Sequence, residues 1–302
     1  MELTMTRPVP LLIWLNKFPR ATLITVGLFV LLGTFGPWLA PLDPNAQDLI
    51  NTGQGPSGAH WLGTDHLGRD TLSRLLVAAN TSLVSVGTVL AIAMTVGIAI
   101  GTIAGYCRGW VDDVLMRIVD VGLSIPSLIT SLAVIGIIGP GYWTMVLALA
   151  LAWWPMSGRI SRAVAVGIMS KPHIEALRVL GASPLRIYFN HLLPGTIGAV
   201  MVYATADAGM AAIAVATLSF LGLGIQPPTP EWGQMLVDAL PYLESDPRQV
   251  ILPGLALTAA VIGFNTLGES IALNRVPKPL TRRMLLARRL EVAGWEKEAV
   301  NA

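Results

Sequence analysis

His60, Asp65, His66 and Asp70 fall within one short stretch and carry the nitrogen and oxygen donors that hold a divalent metal ion. The same stretch has a simpler reading. Gly63, Gly68 and Asp65 supply turn chemistry, and Asp70 stands where it can cap a helix over Thr71–Leu76. We expect no metal site there. A second set lies in an apolar run, where Asp207 is the only well-embedded charge. Tyr203, Asp207, Met210 and Ala214 recur at i, i+4, i+7 and i+11 and share one helical face. A phenol, a carboxylate and a thioether suit weak, passing contact with a metal or an amino group, and are too few to capture an ion. The alternative is an interhelical hydrogen bond, for example from Asp207 to Asn265. The third set is "EALRVLGASPLRIYFNHLLP", Glu175–Pro194, a charged, amphipathic stretch pinched at Gly181.

Other chemistry is missing from the sequence. No G-x-x-x-x-G-K-[ST] run is present to cradle ATP phosphates. No Ser/His/Asp or Cys/His set has motif context, and the lone Cys107 excludes an internal disulfide or a CxxC site. We expect no cofactor and no enzyme.

The elements that must position these residues are apolar. Of 302 residues, 53% are hydrophobic and 13% charged, against about 25% charged in a soluble domain. Runs nearly free of charge predict six transmembrane helices near 22–40, 80–106, 118–138, 142–158, 196–222 and 250–272, each meeting the need for about 20 apolar residues. The first is too long for a signal peptide, and Pro37 and Pro41 stand where a cleavage site would be, so it reads as an uncleaved anchor. Pro126 predicts a kink in the third span. Gly97, Gly101 and Gly105, spaced by four, offer a face for close helix approach. After the fifth span, Trp232–Leu243 reads as an amphipathic segment at the outer interface. Glu231, Asp238, Glu244 and Asp246 make that loop acidic, either guarding a pore mouth or simply solvated.

Basic residues set the orientation. With a cytoplasmic N-terminus, all of the 20 Lys and Arg residues lie inside except Arg69, Arg74 and Arg248. Both ends are then cytoplasmic, and Glu175–Pro194 lies inside, between the fourth and fifth spans. Ser170-Lys171-Pro172 starts a short helix and Gly181 ends it. Ser183-Pro184 starts a second. Ile174, Leu177 and Leu180 form one apolar stripe, and Leu185, Tyr188 and Leu192 another. Such an element lies flat at the membrane surface, either offering a face to a soluble partner or stabilising a loop. The tail's Arg282, Arg283, Arg288 and Arg289 suit anionic lipid heads or a solvated helix.

Glu175-Ala176, Gly181, Ile187 and Leu193-Pro194 resemble the EAA loop of ABC-importer permeases, with Leu177 where the motif's second alanine stands. "HWLGTDHLGRDTLSRLL" (His60–Leu76) and "LSFLGLGIQPPTPEWGQML" (Leu218–Leu236) are similar to hallmarks of the C-type permease of the peptide/nickel importer family. The resemblance departs at Asn80, where members commonly carry arginine, and at Ala214, where they carry an acidic residue. After the last span, Gly268-Glu269 and Ala272-Leu273 replace the usual Gly-Asp and Arg-Asp. It implies a coupling role toward an ATPase for Glu175, Ala176, Gly181, Ile187, Leu193 and Pro194. It also implies a heterodimer with a second homologous permease, two ATP-binding subunits and an extracytoplasmic substrate-binding protein, in a bacterial inner membrane. The expected cargo is a peptide or nickel, and "HWLGTDHLGRD" with Asp207 leans toward nickel.

The expectation is thus an all-α, polytopic membrane protein with six spans and an ABC-importer permease fold. An anchor helix and outer loop occupy residues 1–78, and a core of five spans 79–275, with its coupling loop at about 170–194. A basic tail fills 276–302. Tyr203, Asp207 and Met210 are candidates for the translocation path. The alternative, a secondary transporter or channel subunit, calls for paired intramembrane charges or an inverted repeat.

Overall fold

The computed structural model describes residues 20–275, which are helical nearly throughout, with one isolated β-bridge between Thr64 and Asp70. The expected basic tail lies outside the described residues. Helix α1 covers Arg20–Leu39, α2 Thr71–Cys107, α3 Gly109–Ser124, α4 Ser127–Ile138 and α5 Tyr142–Met169. Two short helices follow, α6 over Pro172–Val179 and α7 over Pro184–Ile187. A π-helical turn, Tyr188–Leu192, carries α7 into α8, Leu193–Phe220. Helix α9 covers Trp232–Ala239 and α10 Arg248–Arg275.

Each expected span coincides with a helical segment, but not all are simple rods. Among the described residues, three helices are by themselves long and apolar enough to cross a membrane: α2, the rod Pro184–Phe220, and α10 through Ala272. The expected third span is a pair, α3 and α4, bent by 88° at Ile125-Pro126. Proline disfavours a helical conformation in the residue before it, and Ile125 is extended at φ −102°, ψ 128°. The kink expected at Pro126 is therefore a break. The helix holding the expected fourth span runs beyond it: α5 continues to Met169 and carries Arg159 and Arg162.

Helix α2 lies against α5 along its glycines. A Cβ at Gly97 would collide with Ser157, one at Gly101 with Gly158 and Ser161, and one at Gly105 with Ala165. The spacing by four puts all three on one face, and their missing side chains let the backbones meet. Around this seam pack fully buried Val89, Met145, Leu149, Val200 and Leu218.

The donors of the His60–Asp70 stretch each have another partner. Asp70 caps α2, accepting from the Ser73 amide at 2.8 Å, and His60 Nδ1 lies 2.9 Å from its other oxygen. Asp65 accepts from Arg69 Nε at 2.6 Å and faces Arg74 Nε at 3.5 Å, while His66 stacks on Tyr242. Gly63 and Gly68 sit at φ +81° and +74°, as turns require.

The segment after the fifth span corrects the sequence reading. Trp232 and Met235 of α9 are buried beside Ala78, Ala79 and Ala260, and Gly233 abuts the Ala216 carbonyl. Glu231 is wholly buried, accepting from the Gln234 amide at 3.0 Å and the Ser82 hydroxyl at 2.9 Å. It is a helix cap tied to α2, not part of a solvated acidic face. Burial pulls the Asp246 carboxyl up, but bonds from Arg248 and Gln249 outweigh it and hold that carboxyl below its usual range. Of the four acidic residues, Glu244 alone is fully exposed.

Candidate functional site

Two features stand apart from the packed bundle. The first is the projection formed by α6 and α7 between α5 and α8. Pro172 opens α6, Gly181 turns the chain at φ +77°, and Ser183 caps α7 by accepting from the Arg186 amide at 3.4 Å. Ile174, Ile187 and Leu192 are buried with Ala165 and Met169 of α5. The Tyr188 hydroxyl bonds that of Thr102 on α2 at 2.8 Å, and the Tyr106 hydroxyl donates to the Pro184 carbonyl at 3.2 Å.

This anchoring decides which side faces out. Glu175, Ala176, Gly181 and Pro194 are exposed, Leu193 is half-buried, and Ile187 points inward at 2% exposure. The outer face also carries Val179, Leu180, Leu185 and Phe189, with Leu180 82% exposed. The sequence reading put Leu180 in one stripe with Ile174 and Leu185 in another with Leu192, both of which are buried. Leu180 is the C-cap residue, outside the helical register, and Leu185 lies opposite the buried Ile187. The usable signal was Leu185 and Phe189 at i and i+4, a second apolar face on the same turn.

The second feature is a cavity of about 280 Å³ at the α3–α4 break. Gly122, Leu123, Ile125 and Pro126 form one side, Trp153 and Met156 of α5 another, and Tyr203 and Asp207 of α8 a third. The Trp153 indole N–H donates to the Asp207 carboxylate at 2.6 Å. The hydrogen-bond partner expected in Asn265 is therefore Trp153, because α5 rather than α10 passes on that side. Asn265 instead packs at Gly209, where a Cβ would meet its Oδ1 at 2.8 Å. Met210, further along the same helix, is exposed and does not line the cavity. A larger cavity, about 530 Å³ between α2, α8 and α10, has no ionisable lining.

Paired charges, unrecognised in the sequence, lie beside the smaller cavity. Arg159 of α5 pairs with Asp120 of α3, both about half exposed. Arg162 grips Asp112 with two bonds, 2.5 and 2.6 Å. Both pairs join α3 to α5 near the end of α5 that leads to the projection. The partners were missed because both arginines lie beyond the stretch taken as the span.

A bundle of apolar helices with a carboxylate-lined cavity at a broken helix, and a projection spliced between two of its walls, is the membrane subunit of a transporter. Comparison with known proteins gives the family. Residues 97–278, more than half of the chain, match the binding-protein-dependent transport system inner membrane component. Over 252 residues the chain is 39% identical to the nickel transport system permease protein NikC of Escherichia coli, covering 83% of this chain and 91% of that one. It is 38% identical to the glutathione transport system permease protein GsiD of Pectobacterium atrosepticum (85% and 87% covered). Identity to the dipeptide transport system permease protein DppC of Alkalihalophilus pseudofirmus is 36% (85% and 84%). A solved chain of the MetNI methionine ABC transporter, in an inward-facing conformation, has the same fold at TM-score 0.54 and 18% identity, over 68% of this chain and 97% of that one.

The chain belongs to the binding-protein-dependent transport system inner membrane component family. It is a multi-pass permease subunit of an ABC importer of the peptide/nickel group, and so a transporter. Such a subunit works in the membrane with ATPase and substrate-binding partners. The secondary-transporter alternative falls on this assignment.

Proposed function

We propose that this subunit forms half of a translocation pathway, pairs with a second, homologous permease, and couples to two ATPase subunits through the outer face of Glu175–Pro194. One observation carries the reading. The projection is continuous through Ser170 with α5, which holds Trp153, and through the π-turn with α8, which holds Asp207. Pushing the projection therefore shifts the two cavity walls against each other, a direct route from ATPase closure to alternating access. Glu175, Ala176 and Gly181, with Leu180, Leu185 and Phe189, form the docking face. Ile187 and Leu192 fasten it from beneath.

Tyr203 and Asp207 line the path. No basic side chain lines the cavity, which favours a cationic cargo or the amino end of a peptide over an anion. Among the cargoes that relatives' names specify, nickel in a complex fits this polarity best, with dipeptides second. Basic residues put the projection and both termini in the cytoplasm. The anchor helix with the outer loop (1–78), the core (79–275) and the tail (276–302) then form three functional regions.

The test is to express the chain with its genomic neighbours, purify the complex by a tag on this subunit, and measure ATP-driven uptake into vesicles. Labelled nickel, with and without chelators, and labelled dipeptide are the cargoes. The expected result is co-purified ATPases and binding-protein-dependent nickel uptake. Uptake that proceeds without ATP or associated ATPases would sink the reading, and uptake of dipeptide alone would reverse the choice of cargo.

A further inference from the structure

We infer that Asp112, Asp120, Arg159 and Arg162 clasp α3 to α5, making the two helices one lever that carries movement of the projection to the α3–α4 break. This rests on the reading of Glu175–Pro194 as the coupling element. Arg162 presents two parallel N–H groups to Asp112, whose side chain is only 10% exposed. That planar fork fixes direction as well as distance, which a lysine cannot do. About two turns along α3, Asp120 pairs with Arg159. Two pairs on two antiparallel helices resist both sliding and rotation, where one would leave a pivot.

The packing between the helices supports the same unit. Val119 is wholly buried near Gly158, and a Cβ at Gly122 would press on Pro155 at 2.7 Å. One end of the lever is joined to the projection, since α5 reaches α6 through Ser170 and Lys171 alone. The other end is the break, where Leu123 and Ile125 line the cavity opposite Asp207. Beyond Pro126 the chain departs at 88°, so α4 need not follow. The joint is thus where rotation of the lever becomes a change in cavity shape. Desolvating Asp112 beside Arg162 is a costly way to hold two helices that already pack through Val119 and Gly122. Resisting load during turnover gives the charged pairs a task that resting stability does not require.

The experiment measures uptake per ATP hydrolysed by the purified complex in vesicles, alongside complex yield and ATPase content. Asp112→Asn and Arg162→Gln should each lower uptake per ATP about tenfold, a modest loss for one partner of a partly desolvated pair. Yield and ATPase content should stay normal. Arg162→Lys should fall between, and Asp112→Arg combined with Arg162→Asp should recover most of the loss. Unchanged uptake per ATP in the single variants overturns the clasp, as does a loss that merely tracks yield. Should Asp112→Asn fail to fold, Asp120→Asn at the half-exposed pair gives the same two outcomes. Failure of the coupling reading looks different: Gly181→Val would then transport normally. Failure of the clasp leaves Gly181→Val impaired while Asp112→Asn works.

Discussion

The indole nitrogen of Trp153 and the carboxylate of Asp207 meet at 2.6 Å across the gap between α5 and α8, inside the cavity at the α3–α4 break. Each residue belongs to a helix that continues into one end of the projection. The bond therefore spans the seam that movement of the projection would open.

Asp207→Asn keeps size and hydrogen bonding while removing the charge. We expect normal assembly and basal ATPase activity with uptake reduced about tenfold or more, as for loss of a buried charge-assisted contact. Trp153→Phe keeps the ring but removes the donor, and should alter uptake without altering assembly. Full uptake in Asp207→Asn would exclude a charge-dependent role. Failed assembly would make the pair a packing contact.

On the projection, Gly181→Val forces a β-branched residue to φ +77°. Glu175→Lys reverses an exposed charge, and Leu180→Ser with Leu185→Ser removes exposed apolar surface. All should insert normally and lose ATPase subunits on affinity purification. Retention of the ATPases at wild-type levels in all three would show the projection to be an ordinary interfacial element.

Two glycines of α2 should behave in opposite ways. Gly101→Leu drives a side chain into Gly158 and Ser161 and should cost at least the 1–3 kcal/mol typical of overpacking. Gly87→Ala meets nothing within 4 Å and should be neutral or better by roughly 0.5–1 kcal/mol, by helix propensity. Thermal unfolding in detergent reads both. Equal midpoints for the two variants would contradict the close α2–α5 seam.

Orientation is open to reporter fusions. An enzyme active only outside the cytoplasm should work after Asp48 or Ser245 and stay silent after Gly109, Lys171 or Ala302. Activity at Lys171 would place the projection out of an ATPase's reach.

The parts of the fold legible in the sequence were those governed by local rules. Apolar runs located the helices, Pro172, Gly181 and Ser183 marked the bounds of the projection, and glycines spaced by four gave the α2–α5 seam. What escaped depended on neighbours distant in the chain. Trp153 lies 54 residues from Asp207, Ser82 lies 149 from Glu231, and Arg159 lies 39 from Asp120. Composition alone left Glu231 in an acidic outer loop and gave no partner for Asp120, because burial and pairing are set by tertiary packing. Ile187 shows the same limit: it matches the motif, yet packing turns it inward at 2% exposure.

The break at Ile125-Pro126 bears on how this chain can exist alone. Helix α4 has 12 residues, a rise of about 18 Å, against a hydrocarbon layer of about 30 Å. It cannot cross by itself, and the backbone beyond it, Gly139-Pro140-Gly141, is irregular, with Ile137 and Ile138 exposed beside it. Peptide groups at that depth tolerate protein or water beside them, but not lipid tails. Alone in the bilayer, the chain would need water beside that backbone, or a neighbouring protein to cover it.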